Sequence, residues 1–427
     1  MVNQILSVAQ VSLYGQTFDV SLNWIGNLIR LLITGVGSVG VGIILFSLIL
    51  RCLVLPFDVF QRISMRKQNQ KMEENKERME KLQKQYANNK DMYNQKVMEM
   101  YKENGISLFS SCLPMILSMV IFIVAINAFN DYASFSSVQN YNQLAKAYNN
   151  AVVEYCEDIE GYQKDGNVIS VDLDCAIATV PSEYIESQKA SGVTEDEAIF
   201  KNYVMDYAQD AVVVEYETSV KENTKFLWIK NIWITDASYK SPVTDYADFS
   251  ANLQQAGCGC GGCSGCGGGL EFINENGDEV PVTDLNTNVY IKESYDHITG
   301  KLTEQKDTAN GYFVLIVLSI GTIILQQVLS MRANKAQQKY GTVDGQGGSQ
   351  QKMMMFMMTG MFALFSFMYS SAFSIYMIMS NILSLISMLV IHKAVDKHMA
   401  KVEERAFRAK HERRITPKNG NEKGKKK

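Results

Sequence analysis

Arg51 is the residue whose type and position most clearly suggest chemistry. It follows Gly42–Leu50, a run without a charge, and precedes Pro56 and Phe57. An arginine centred in a bilayer costs about 2.5–3.5 kcal/mol on insertion scales, a cost usually offset by a water-filled cavity or by polar partners. Residues that could line such a cavity lie in apolar stretches: Ser47 one turn earlier, Thr322 and Gln326, then Ser374, Ser380, Asn381 and Ser384. Two readings stay open. Either the guanidinium sits in a polar groove, or it snorkels to the headgroups, since Phe57 is close by. The serine and threonine hydroxyls have an alternative too, because they often bond to their own helix backbone.

Cysteine supplies a second constellation. Cys258, Cys260, Cys263 and Cys266 form C-x-C-x2-C-x2-C in a glycine-rich loop. Four such thiolates could hold zinc or an iron–sulfur cluster. Placed outside the cell, disulfides or a flexible loop are the favoured outcome, so no metal and no cofactor is expected. Cys52 and Cys112 fall in apolar runs and read as small hydrophobes. The histidines His297, His392, His398 and His411 accompany no candidate nucleophile, and no phosphate-binding glycine loop occurs. An enzyme is not expected.

The elements that must position Arg51 are apolar helices. Uncharged stretches at Leu31–Leu50, Ile106–Asn130 and Gly311–Ser330 can each cross a hydrocarbon core, which takes about 20 helical residues. Met353–Ile391 is too long for one span and reads as two, joined by a turn near Tyr369–Ser371. Five spans result. Lys/Arg outnumber Asp/Glu by 11 to 7 in residues 59–106, 4 to 1 in 332–352 and 13 to 5 in 393–427. Residues 131–310 reverse this, with 11 against 30. Basic loops stay cytoplasmic, which predicts a multi-pass plasma-membrane protein with its N-terminus outside and its C-terminus inside. The first fifteen residues carry no Lys or Arg, so no basic signal-peptide region is seen.

The expected fold is an all-α membrane protein, divided as follows. Residues 1–36 form an external segment in which 23–33 is either an interfacial helix or the start of the first span. Residues 37–130 hold two spans, the first ended or bent by Pro56, with a cytoplasmic helical hairpin over 59–104 that turns near Asn88–Asp91. Residues 131–310 are an acidic extracytoplasmic insert of unknown fold. Within it, Phe226–Ile229 and Ile232–Ile234 read either as a membrane-facing patch or as a strand pair. Residues 311–392 hold three more spans, and 393–427 form a basic cytoplasmic tail.

Four motifs in order resemble the YidC-type membrane insertase family, in its bacterial five-span form. They are Gly42 to Phe57, with Arg51 and Leu55-Pro56; Tyr101 to Pro114; Phe226-Leu-Trp228 with Asp236; and Ile375-Tyr376 through Ser380-Asn381. Departures include Ser118, the turn Ser370-Ser371-Ala372, Met377 after Tyr376, and the length of the external region. The resemblance implies an energy-independent insertase and chaperone. Its groove, lined by Arg51, Ser47, Thr322, Gln326, Ser374, Tyr376 and Asn381, would attract acidic residues of a client and pass its apolar segment into lipid. It implies nascent membrane proteins and the bilayer as partners. The basic tail would contact ribosomal RNA or anionic lipid; the Sec translocon is a further candidate, and DNA is not one. The competing class is a receptor or transporter whose acidic external domain binds a ligand, although paired broken-helix repeats are not found.

Overall fold

The computed structural model describes residues 8–14, 17–103, 109–257, 271–273, 279–281, 289–333 and 347–415. The Cys258–Cys266 cluster lies outside the described residues, as do the basic run at 423–427 and the side chain of Cys112.

The chain begins with strand β1 (Val8–Ser12) and helix α1 (Trp24–Val36). The Asn23 side chain accepts from the Gly26 amide at the start of α1, and Gly37, at φ 71°, ends it. That left-handed cap suits glycine and separates α1 from the next helix, so the two are not one continuous helix. Helix α2 (Val39–Glu74) then runs for 36 residues with Pro56 inside it. Of the two expectations for Pro56, a bend or an end, the end is therefore corrected. Stopping there would strand the last turn's carbonyls, whereas continuing forfeits a single amide donor.

Beyond Asn75, α3 (Lys76–Gln85) and α4 (Lys90–Glu103) form a hairpin. Met79, Tyr93, Val97, Met100 and Tyr101 are its buried residues, with Leu82 and Tyr86 packed against them. Helix α5 (Phe109–Cys156) has 48 residues, or about 72 Å at 1.5 Å per residue. It runs through the boundary expected at residue 131. Val138, Tyr141, Ala145, Tyr148 and Val152, all buried, recur at helical spacing, and no glycine or proline interrupts 131–156.

The insert is mixed. Strands β2 (Gln163–Asp165) and β3 (Val168–Asp172) are joined by β1 in an antiparallel sheet of order β1-β3-β2. Next come α6 (Leu173–Thr179), α7 (Ser182–Ala190) and α8 (Asp196–Glu215), a π turn over Tyr216–Val220, α9 (Lys221–Thr224) and α10 (Tyr246–Gly257). A short pair, β4 (Glu271–Ile273) and β5 (Glu279–Pro281), precedes α11 (Val289–Ile298) and α12 (Thr303–Asp307). One apolar core unites β1, β3, α5, α6, α8, α10 and α11.

The remaining helices are α13 (Val314–Ala333), α14 (Gly347–Met368) and α15 (Ser371–Ile415). The break between α14 and α15 falls at Tyr369–Ser370, where the sequence places it. Among the described residues, Val39–Ser64, Met119–Cys156 and Ser371–Val402 are long and apolar enough to cross a membrane; Trp24–Val36, Val314–Ser330 and Thr359–Met368 are shorter apolar helical segments. The chain is mostly helical, as expected of an all-α membrane protein.

By compactness the chain forms two units. One comprises residues 1–47, 121–321 and 360–378; the other comprises 48–120, 322–359 and 379–427.

Candidate functional site

In the second unit, Arg51 lies on α2 with its side chain 15% exposed. Its Nη2 donates to Asp58 Oδ2 in an ion pair, and Asp58 is 22% exposed. Asp58 is seven residues on, two helical turns, and therefore on the same face of α2. Arg51 Nε is buried and has no hydrogen-bond partner among the described residues. The arginine is thus neutralised within its own helix but only partly satisfied as a donor, since a guanidinium carries five N–H groups.

The same unit joins two other predicted residues. Asn381 Nδ2, on α15, donates to Thr322 Oγ1, on α13, at 3.2 Å. Gln326 is half-buried one turn beyond Thr322, and beside it Gln327 Oε1 accepts from Thr359 Oγ1 of α14 at 2.8 Å. Where the apolar parts of α2 and α15 end, Asp396 receives Arg66 Nη1 at 2.8 Å and Arg62 Nη2 at 3.3 Å.

Ser380 and Ser384 are half-buried in the same unit, whereas Ser47, Ser374 and Tyr376 belong to the first unit and are buried there. Ser47 is 1% exposed, and its hydroxyl donates to the Ile43 carbonyl of its own helix at 2.8 Å. Ser374 is 1% exposed. Tyr376 is 4% exposed, its ring centroid 5.5 Å from that of Phe129, and Phe129 in turn lies edge-on to Phe46.

Above these helices in sequence, Asn231–Asp236 acts as a junction. Asp236, fully buried, accepts from the amides of Tyr312 at 2.7 Å and Leu315 at 2.6 Å, capping α13. Ile234 O accepts from the Ser371 amide, Ile232 O from the Ala372 amide, and Thr235 Oγ1 donates to Tyr369 O. Asn310, fully buried, accepts from the Asn231 amide at 2.7 Å and donates to the carbonyls of Asn231 and Thr235. The segment is not a strand pair: a single bridge joins Phe226 and Ile229 around Leu227, whose φ is 55°. Nor is it uniformly exposed, since Trp233 is buried against Tyr132 while Leu227 is 71% exposed.

Sequence reasoning missed Asp58, Arg62, Arg66, Asp396 and Asn310. Asp58 had a signal, as the first acid after Arg51 at helical spacing. The Asp396 and Asn310 contacts join residues far apart in the chain and had none.

Comparison with known proteins decides the family. A model described as "60Kd inner membrane protein" matches residues 31–160 and 282–398. The chain belongs to this family. "Membrane protein insertase YidC" of Caldanaerobacter subterraneus subsp. tengcongensis is 33% identical over 114 residues, 27% of this chain and 53% of that protein. The protein of the same name from Clostridium perfringens is 39% identical over 87 residues, 20% of this chain and 34% of that protein. That from Enterococcus faecalis is 32% identical over 92 residues, 22% of this chain and 34% of that protein. The chain thus spans about half, or less, of the curated relatives it matches. No solved structure matches it. The family match includes Arg51, Asp58, Thr322, Gln326 and Asn381 but omits 161–281, and with it the Phe226–Asp236 motif. It identifies the chain as a bacterial YidC-family membrane protein.

Proposed function

We propose that this YidC-family chain is a membrane protein insertase and chaperone. A guanidinium at Arg51 receives acidic residues from the external segment of a client while the client's apolar helix moves into lipid. One observation carries the reading: in a chain of this family, a largely buried arginine stands inside the apolar stretch of a long helix. Two unit charges at 4 Å interact by about 1 kcal/mol in water and about 4 kcal/mol at an effective dielectric of 20, so a sheltered arginine attracts carboxylates strongly. The polar pair Thr322–Asn381 and the amides of Gln326 and Gln327 supply further hydrogen-bonding groups on α13 and α15. In this reading the chain crosses the plasma membrane five times, with the insert and N-terminus outside. The α3–α4 hairpin and the basic tail meet nascent membrane proteins and the ribosome in the cytoplasm. The hairpin's methionines suit varied apolar partners.

The test is complementation of a bacterium depleted of its own insertase, with client insertion followed by protease protection. Arg51→Ala is expected to lower insertion of an acid-bearing client on the order of tenfold, the loss of one charge-assisted contact of about 1.5 kcal/mol. Arg51→Lys should retain more activity, since it keeps the charge and loses the planar donor fork. Full activity in Arg51→Glu would sink the charged-site mechanism.

A further inference from the structure

The Arg51–Asp58 pair bears directly on how a client carboxylate could reach the arginine. Asp58 is the first acid after Arg51 on α2, and its carboxylate meets the guanidinium through Nη2 alone. The Nε–H of Arg51 is buried without an acceptor among the described residues. Arg51 is therefore electrically balanced but not saturated. A second carboxylate cannot simply join, because one guanidinium between two carboxylates leaves a net negative charge in a sheltered site. A carboxylate that engages Nε and an Nη together makes two parallel bonds, and such bidentate contacts are stronger than single ones. Exchange avoids this when the freed Asp58 carboxylate, whose side chain is 22% exposed, turns to water.

We propose that Asp58 is a positioning and specificity residue: it holds Arg51 as a resident counter-ion that a client carboxylate must displace. This rests on the insertase reading above. A neutral client leaves the resident pair intact and gains no contact with Arg51. An acidic client replaces one monodentate contact with a bidentate one, and Asp58 returns to the guanidinium when the client departs into lipid. Asp58 thus limits how long an acidic client is retained.

The test uses the full chain in native membranes, with a photocrosslinking residue at Gln326 and a stalled single-span client. The client carries either one Asp or an Asn in its external segment. Asp58→Asn is expected to raise crosslinking of the Asp client on the order of tenfold, equivalent to one strong contact, and to slow its release. The Asn client should be unaffected, and Asp58→Glu should behave as the parent chain. If Asp58→Asn changes both clients equally, or neither, the counter-ion role is overturned while the insertase reading stands. If the parent chain crosslinks no client at all, both fall. Should Asp58→Asn fail to accumulate, the double variant Arg51→Asp with Asp58→Arg keeps the pair while exchanging its ends. Full insertion of the acidic client by that swap would make the pair structural only and overturn the proposal; loss of preference for the acidic client with normal accumulation would support it.

Discussion

Asn310 shows at the scale of one residue how the junction is held. Its side chain takes the Asn231 amide and donates to three carbonyls, those of Asn231, Ile234 and Thr235. Asn310→Ala leaves the Asn231 N–H buried without its acceptor, while the carbonyls of Asn231, Ile234 and Thr235 keep the amides of Ile234, Ser371 and Ala237. One such group costs about 1–3 kcal/mol, and a loss of that order is expected, read as a lower midpoint of thermal unfolding in detergent. Asp236→Ala acts on the same junction by uncapping α13. It should cost about 1–2 kcal/mol and speed hydrogen exchange at the amides of Tyr312 and Leu315. Gly311 lies against Asp236, where an added Cβ would collide with the carboxylate, so Gly311→Ala should resemble the Asp236 variant. These residues were legible only in part. Asp236 stands within a recognisable motif, whereas Asn310 resembles any polar residue before an apolar run. Its role exists only because the chain returns to Asn231.

Among the elements, what the sequence made plain were breaks and periodicities. The polar Tyr369–Ser371 stops a helix where the sequence places a turn, whereas the break at Gly37 is not legible in the sequence, which leaves α1 either separate or part of the first span. Pro56 leaves a bend and an end both open, because a lost amide donor is weighed against the orphan carbonyls that stopping would create, and that balance depends on how the helix is surrounded. The path of α5 into the insert was hidden for another reason: the composition turns acidic at 131 while the helical spacing of Val138, Tyr141, Ala145 and Tyr148 continues. The hairpin was legible in outline from its methionine spacing and its asparagine turn. Its small core makes a sharp prediction. Tyr93 is 1% exposed among Met79, Val97 and Met100, and burial raises its phenol above the usual range. Truncating a buried aromatic costs about 3–5 kcal/mol, more than so small a cluster is expected to supply. Tyr93→Ala should open the hairpin, with new protease cleavage near Tyr86–Lys90, while the apolar helices stay protected. Arg78→Ala removes only an exposed pair with Glu103 and should leave the hairpin closed.

For the whole molecule, the decisive fact is that strand β1 folds into the insert. β1 pairs along its full length with β3, Val8 opposite Asp172 and Ser12 opposite Val168, so both lie on the same side of any membrane the chain crosses. This pairing spans some 160 residues of sequence, and no local pattern announces it. It also separates two roles the insert could have. The family match omits 161–281, which contains β2, β3 and most of the helices around the insert's core. If that core is an accessory to insertion, weakening it should spare the activity carried by the apolar helices. Val171, 1% exposed in the middle strand, is the place to strike, because Val171→Asp buries an unpaired carboxylate at a cost of several kcal/mol. The expected outcome is rapid proteolysis of the insert from outside the cell and release of β1, with complementation of the insertase-depleted strain preserved. Loss of complementation at normal levels of the membrane-embedded part would instead place the insert on the client's path, and would revive the reading of the external domain as a ligand-binding receptor. Labelling single cysteines introduced at Lys164 and Arg408 provides the control: in intact cells an impermeant reagent should reach the first and not the second, as the proposed outside N-terminus and cytoplasmic tail require.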